Sequence, residues 1–304
     1  MNQATRNRIH AAIQAAADKA SGQLGVFFYD LESGASAGHN ENDIFPSASV
    51  FKIFVLAELV RQIRAGAHSF SDRHALNDYD KSEGSGVLQL MDNDASLTIK
   101  DYATLMMILS DNTAADFLFR LTGRDSIKAH VLDALDLPGT KCDLSCTDLI
   151  AACYQIKPRE SLNAYLAHNH PDLRNSDAFT GKLSENDETT PRETAEMLRQ
   201  FYTGEWVDRE ASDSALSIMK LCQTNARIPR YLPCGTEVAH KTGSMDRVAN
   251  DAGIIYSPKG NYILSLFYNG NTASEEEYAG NDHNYFSEEL LAHLSRDIYD
   301  LYVS

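Results

Sequence analysis

A chain of 304 residues with 43% apolar and 23% charged side chains can bury a sizeable core, as one large domain or two small ones. Its 27 Lys and Arg stand against 43 Asp and Glu, a formal charge of -16 that repels phosphate backbones and anionic lipid headgroups. Nucleic acid is therefore excluded as an expected partner, and no run of 18 apolar residues exists to form a membrane-spanning helix.

The first 22 residues carry an Ala-rich amphipathic pattern (Ile9, Ile13, Ala16, Ala17, Ala20) that predicts a helix. They lack the basic flank, continuous apolar centre and cleavage site of an export signal, so the chain as given reads as cytoplasmic or as a mature, trimmed form. Two β-type runs, Gly25 to Tyr29 and Ala35 to His39, flank a turn-forming stretch and predict a hairpin. Helical periodicity then dominates, over Ser49 to Arg64, Ile99 to Leu109, Ala114 to Leu121, Ile127 to Leu135 and Pro191 to Tyr202. Between Thr140 and Thr190, Pro158, Pro171 and weak periodicity predict a long loop excursion. Strand signal returns in Glu237 to Thr242, Asp251 to Tyr256 and Tyr262 to Tyr268, and Phe286, Leu290, Leu294, Ile298 and Leu301 mark a closing helix.

Strands at both ends around a helical middle predict an α/β chain of two domains. An antiparallel five-stranded sheet flanked by the terminal helices is expected from residues 1–47 and 215–304. An all-α domain is expected from residues 48–214, including the loop 140–190. The five cysteines (Cys142, Cys146, Cys153, Cys222, Cys234) are odd in number and match no metal spacing, so they read as mostly reduced structural thiols.

Three short motifs carry chemistry. Ser49-Val50-Phe51-Lys52 opens an apolar run, Phe51 to Val60, that predicts a buried helix with Ser49 near its N-terminus. Positions three apart share a helix face, so the Lys52 amine can reach the Ser49 hydroxyl, and burial favours the neutral amine that accepts a serine proton. Ser110-Asp111-Asn112 sits between two predicted helices, where a cap would also want these residues; Ser110 offers a proton relay and Asn112 an amide for a substrate carbonyl. Lys241-Thr242-Gly243, followed by Ser244, ends a predicted strand and offers donors to a carboxylate beside a glycine that allows close backbone approach. Each motif alone is common or explicable as turn chemistry. All three in this order are expected on the order of once in a thousand chains.

The set resembles the class A β-lactamases and penicillin-binding proteins. The resemblance covers about four fifths of the chain, including Phe45-Pro46-Ser47-Ala48-Ser49, Thr189-Thr190-Pro191-Arg192, and Val248-Ala249-Asn250-Asp251-Ala252-Gly253. It implies a β-lactamase-like fold, a Ser49 acyl-enzyme opened on a β-lactam amide, and no cofactor. Catalytic roles fall to Ser49, Lys52 and Ser110, with the backbone N–H groups of Ser49 and Ser244 as oxyanion hole. Substrate binding falls to Asn112, Arg227, Lys241, Thr242, Gly243 and Ser244; Arg227 lies fourteen residues before Lys241, a spacing similar to that at which some members bind the substrate carboxylate. The expected partner is a small β-lactam or peptidoglycan-like molecule, the expected state a monomer, and the implied compartment the periplasm or the exterior.

One departure concerns deacylation. The family's Arg-x-Glu-x-x-Leu-Asn loop string is absent; Asp177, twelve residues before Thr189, is the nearest acid to the expected distance and the expected base, with Glu160, another acid such as Glu185 or Glu188, or none as the alternatives. A D,D-peptidase or small-ester hydrolase, or a penicillin-binding sensor acylated without turnover, is the alternative on the same scaffold.

Overall fold

The computed structural model describes residues 1–154, 186–245, 247–270 and 285–304. Helix α1 (Gln3–Ala17) starts on Asn2, whose side chain accepts the Thr5 N–H, and buries Ile9, Ile13 and Ala16 on one stripe. Strands β1 (Gln23–Asp30) and β2 (Ser36–His39) form the expected hairpin, and the short strand β3 (Phe45–Pro46) leads into a 3₁₀ turn, Ala48–Phe51. From that turn springs α2 (Lys52–Arg64), with ten of its thirteen residues buried, Lys52 and Glu58 among them.

A second small ribbon, β4 (Arg73–Ala75) with β5 (Ser96–Thr98), precedes α3 (Ile99–Ile108). There Thr98 and Asp101 make a capping box. Helix α4 (Asn112–Thr122) starts on Asp111 and ends at Gly123. The predicted helix over 127–135 is instead α5 (Arg124–Ile127) running into a π turn, Lys128–Leu132. Two helices that periodicity did not reveal are present, α6 (Cys146–Tyr154) and, beyond β6 (Glu188–Thr189) and α7 (Pro191–Thr203), α8 (Arg209–Met219). Helix α8 spans residue 214, so the helical run continues to Met219. Strands β7 (Glu237–Met245), β8 (Val248–Ser257) and β9 (Gly260–Asn269) and helix α9 (Tyr285–Val303) complete the described chain.

The sheet is five-stranded and antiparallel throughout, in the order β2-β1-β9-β8-β7, so both ends of the chain build it. Alternation along each strand separates two cores. Val26, Phe28, Leu264 and Leu266 point to α1 and α9, against Ile9, Ile13, Leu291 and Ile298. Phe27, Ile254, Ile263 and Phe267 point the other way and join the helical core around Phe54, Leu56, Leu118 and Phe201.

Strand β7 is an edge strand, and the 3₁₀ turn packs against it. A Cβ built on Gly243 would lie 2.7 Å from the Ser47 carbonyl oxygen and 3.1 Å from the Ser49 nitrogen, so glycine is what allows the two backbones to approach. Asn250 on β8 fixes the same turn: its Nδ2 donates to the carbonyls of Pro46 (2.8 Å) and Ser47 (3.1 Å), and its Oδ1 accepts from the Tyr268 N–H (3.3 Å). Replacing this buried amide by Ala removes both bonds to the turn and the acceptor of the Tyr268 N–H, leaving the Ser47 carbonyl only the Val50 N–H. Asn250→Ala is expected to destabilise by about 2–4 kcal/mol in urea unfolding.

Candidate active site

The three motifs, far apart in sequence, meet at one point. Lys52 lies at the first position of α2 and is fully buried; its Nζ donates to the Ser110 carbonyl (2.7 Å), to Ser110 Oγ (3.2 Å) and to Asn112 Oδ1 (2.9 Å). Lys241 on β7, also fully buried, donates to Ser110 Oγ at 3.0 Å and to the Thr242 carbonyl. The Ser110 hydroxyl thus accepts from two amines and keeps its own hydrogen to donate. Burial, and then the neighbouring charge of Lys52, bring the Lys241 amine down to about 7.

The turn that presents Ser110 is held from several sides. Ser110 has a positive φ of 58°, a conformation costly for a residue with a Cβ. The Asp111 carboxylate accepts from Ala114 N and from the N–H groups of Val87 and Leu88, anchoring the turn to the segment above it. The Asn112 amide is committed in both directions, its Oδ1 to Lys52 and its Nδ2 to the Glu83 carbonyl at 2.9 Å. It therefore orients the lysine, a role the sequence did not assign to it.

Ser49 lies in the 3₁₀ turn one residue after Ala48, which has φ 43°, and it is partly exposed while its neighbours are buried. The hydrogen bonds of Lys52 go to Ser110 and Asn112, and among the described residues the Ser49 hydroxyl makes no hydrogen bond.

Arg227 reaches the far end of β7 but is 2% exposed, and both its terminal nitrogens are engaged. Nη1 donates to the carbonyls of Gly243 (2.9 Å) and Asn250 (2.6 Å), and Nη2 to Ser244 Oγ (2.6 Å) and Glu288 (2.8 Å). It braces the strand from behind, and its route toward the cleft runs through the exposed Ser244 hydroxyl. Thr242 Oγ1 lies 2.8 Å from Thr224 Oγ1, a residue that carried no motif.

Of the acids considered for deacylation, Asp177, Glu160 and Glu185 lie outside the described residues. Glu188 is described: its carboxylate pairs with Lys141 at 2.8 Å, and its backbone pairs with Pro46 and Lys141, so it is a strand residue beside the approach to Ser49. Asp187 next to it escaped the sequence reading. Its carbonyl accepts the Ser47 N–H (2.8 Å), and its carboxyl is buried with one oxygen held by the N–H groups of Asp143 and Leu144. Burial pushes that carboxyl up to about 7. Cys146, at the start of α6, feels the charge of Lys52, but burial holds its thiol far above the ordinary range, so it is neutral and no base.

Comparison with known proteins agrees with this geometry. The family model described as "Beta-lactamase enzyme family" matches residues 8–302. A β-lactamase of Streptomyces cellulosae is 25% identical over 248 residues, 80% of this chain and 70% of its own length. Beta-lactamase PSE-4 of Pseudomonas aeruginosa is 25% identical over 288 residues, 93% of this chain and 86% of its own. The crystal structure of a β-lactamase from Sphaerobacter thermophilus superposes with a TM-score of 0.76 at 25% identity, covering 96% of this chain and 95% of the other. The sheet built from both chain ends, the convergence of three motifs on Ser110 and a family match spanning nearly every residue lead to one conclusion: the chain belongs to the β-lactamase enzyme family.

Proposed function

We propose that the protein opens the amide of a β-lactam through an acyl-enzyme on Ser49, the reading carried by the two buried lysines that meet at Ser110 Oγ. Ser49 attacks the carbonyl carbon and its proton passes to the Lys52 amine, buried at the start of α2. The negative charge on the carbonyl oxygen is met by the N–H groups of Ser49 and Ser244, on the turn and the strand that Gly243 brings together. As the C–N bond breaks, the Ser110 hydroxyl donates its hydrogen to the leaving nitrogen and is reprotonated from the lysines. Lys241, Thr242 and Ser244 hold the substrate carboxylate, with Arg227 acting through Ser244.

Water then releases the acyl group, and Asp177 is the base we propose for that step. The substrate is a small β-lactam or a peptidoglycan-like molecule. The chain acts as a monomer, and the family resemblance implies work outside the cytoplasm. Among the described residues, no helix is long and apolar enough to cross a membrane.

Incubation with a chromogenic cephalosporin, followed by intact mass, tests the reading. Wild type is expected to form an adduct and turn over; Ser49→Ala is expected to lose the adduct while keeping its melting temperature, and an adduct that survives would move the nucleophile elsewhere. Lys52→Ala should slow acylation by at least about a hundredfold. Asp177→Asn is expected to accumulate the acyl-enzyme without slowing its formation. Gly243→Ala pushes β7 off the Ser47–Ser49 turn and misplaces the two oxyanion donors, so acylation should fall by about a hundredfold with the far-ultraviolet spectrum unchanged.

A further inference from the structure

Behind the Lys241-Thr242 strand lies a cluster that acylation does not use. His240 is buried, with Nδ1 2.9 Å from Asp251 Oδ1 and Nε2 3.2 Å from Asn225 Oδ1. Burial opposes its charge, but the charge and hydrogen bond of Asp251 raise the ring to about 10, so it is an imidazolium near neutrality. Beside it the Cys222 sulfur lies 3.2 Å from Thr224 Oγ1, which in turn lies 2.8 Å from Thr242 Oγ1. Sulfur, hydroxyl and hydroxyl form a chain that ends on the side chain assigned above to the substrate carboxylate.

Each hydroxyl in such a chain has one hydrogen, so the chain has only two orderly directions. With a Cys222 thiol, S–H can donate to Thr224, which frees Thr224 to donate to Thr242 and leaves the Thr242 hydrogen to donate into the cleft. With a thiolate, Thr224 donates to sulfur, Thr242 donates to Thr224, and Thr242 turns its lone pairs to the cleft. The first arrangement binds a carboxylate; the second repels it.

We propose that Cys222 is a positioning residue whose proton sets the direction of the Thr224–Thr242 hydroxyl relay, and with it the affinity of the cleft for a carboxylate substrate. The inference rests on the assignment of Thr242 to the substrate carboxylate. The charged groups facing the sulfur are His240 and Lys241 on β7; Asp251 on β8 stands behind His240, and Lys52 and Arg227 stand beyond Lys241. Burial alone would raise the thiol, but the hydrogen bond and charge of His240, with Lys241 and Thr224, bring it down to about 7. Below that pH the donor direction prevails. Above it the relay reverses.

The rival source of the same pH dependence is Lys241, which also titrates near 7 and whose charge the Cys222 thiolate supports. The two predict opposite effects of one substitution. Acylation by benzylpenicillin and by its methyl ester is followed by intact mass from pH 5.5 to 9, separating apparent affinity from limiting rate. For wild type the apparent affinity for benzylpenicillin is expected to fall about tenfold through pH 7, the ester showing no such fall and the limiting rate changing less.

Cys222→Ser keeps a donor that does not ionise, so the fall should vanish or move to higher pH. Cys222→Ala lacks the donor and should bind weakly even at pH 6, a loss that the serine variant restores. Thr224→Val cuts the relay without touching the sulfur and serves equally if the Cys222 variants fail to fold; it too should flatten the profile. A fall that moves to lower pH in Cys222→Ser, or persists unchanged in Thr224→Val, overturns the proposal and assigns the titration to Lys241. Failure of the Ser49→Ala test above would instead remove the reading on which the relay rests, so the two failures are distinguishable.

Discussion

Two lysine side chains, each removed from water, share one hydroxyl oxygen. Isolated ammonium groups in such a position would repel one another and lose their hydration, and Lys241 answers by loosening its proton. Around the pair stand oxygen acceptors: the Ser110 and Thr242 carbonyls and the Asn112 amide oxygen. This arrangement needs Ser110 to offer both its carbonyl and its hydroxyl to Lys52, and it does so at φ 58°, a conformation that costs about 1 kcal/mol or more for a residue with a Cβ. The Asp111 and Asn112 hydrogen bonds on either side offset that cost.

The three motifs come from a helix start, an interhelical turn and a sheet edge, so their meeting depends on how the turn Ala48–Phe51 seats on β7. Strand β7 is the edge of the sheet, and the turn packs on the face of β7 and β8, where Gly243 and Asn250 are paired neighbours. Gly243 sets how close that turn comes, and Asn250 ties it down from the next strand. Asp187 and β6 hold the same turn from the opposite side, through Ser47 and Pro46. The partly exposed Ser49 therefore sits on backbone that is fixed on both flanks, which is what an attacking group needs to be positioned at low entropic cost.

The sheet was legible in the sequence because period-2 runs bounded by Gly, Asn and Pro announce strands; the structure lengthens β7, β8 and β9 by a few residues at their ends without changing their order. Helix α8 was not legible because its buried face is mainly small (Ala211, Ser212, Ala215), and the apolar contrast appears only at Leu216, Ile218 and Met219. Helix α6 lies in the Pro- and Asn-containing stretch that reads as loop throughout. Ser49, Lys52, Ser110 and Lys241 were legible as motifs, yet spacing along one element cannot show that Lys52 bonds Ser110 and Asn112, some sixty residues further on. Arg227 was indicated by the family resemblance, and the structure buries it behind Gly243 and Ser244, paired with Glu288, sixty-one residues further on. Thr224 and Cys222 belong to no motif, and only the fold brings them beside Thr242.

The formal charge of -16 bears on how such a cleft selects an anion. The general field opposes a carboxylate, so attraction must be local, and the local cations are compromised: Arg227 is bound to Glu288 and Lys241 holds its proton weakly near neutrality. Recognition then shifts from charge to direction, toward neutral hydroxyls such as Thr242 and Ser244 whose hydrogens must point outward when the substrate arrives. A hydroxyl points where its neighbours leave it free to point. In this chain the neighbours of Thr242 are Thr224 and, through it, Cys222, so under the proposed relay a sulfur two hydrogen bonds away governs which way the Thr242 hydroxyl points.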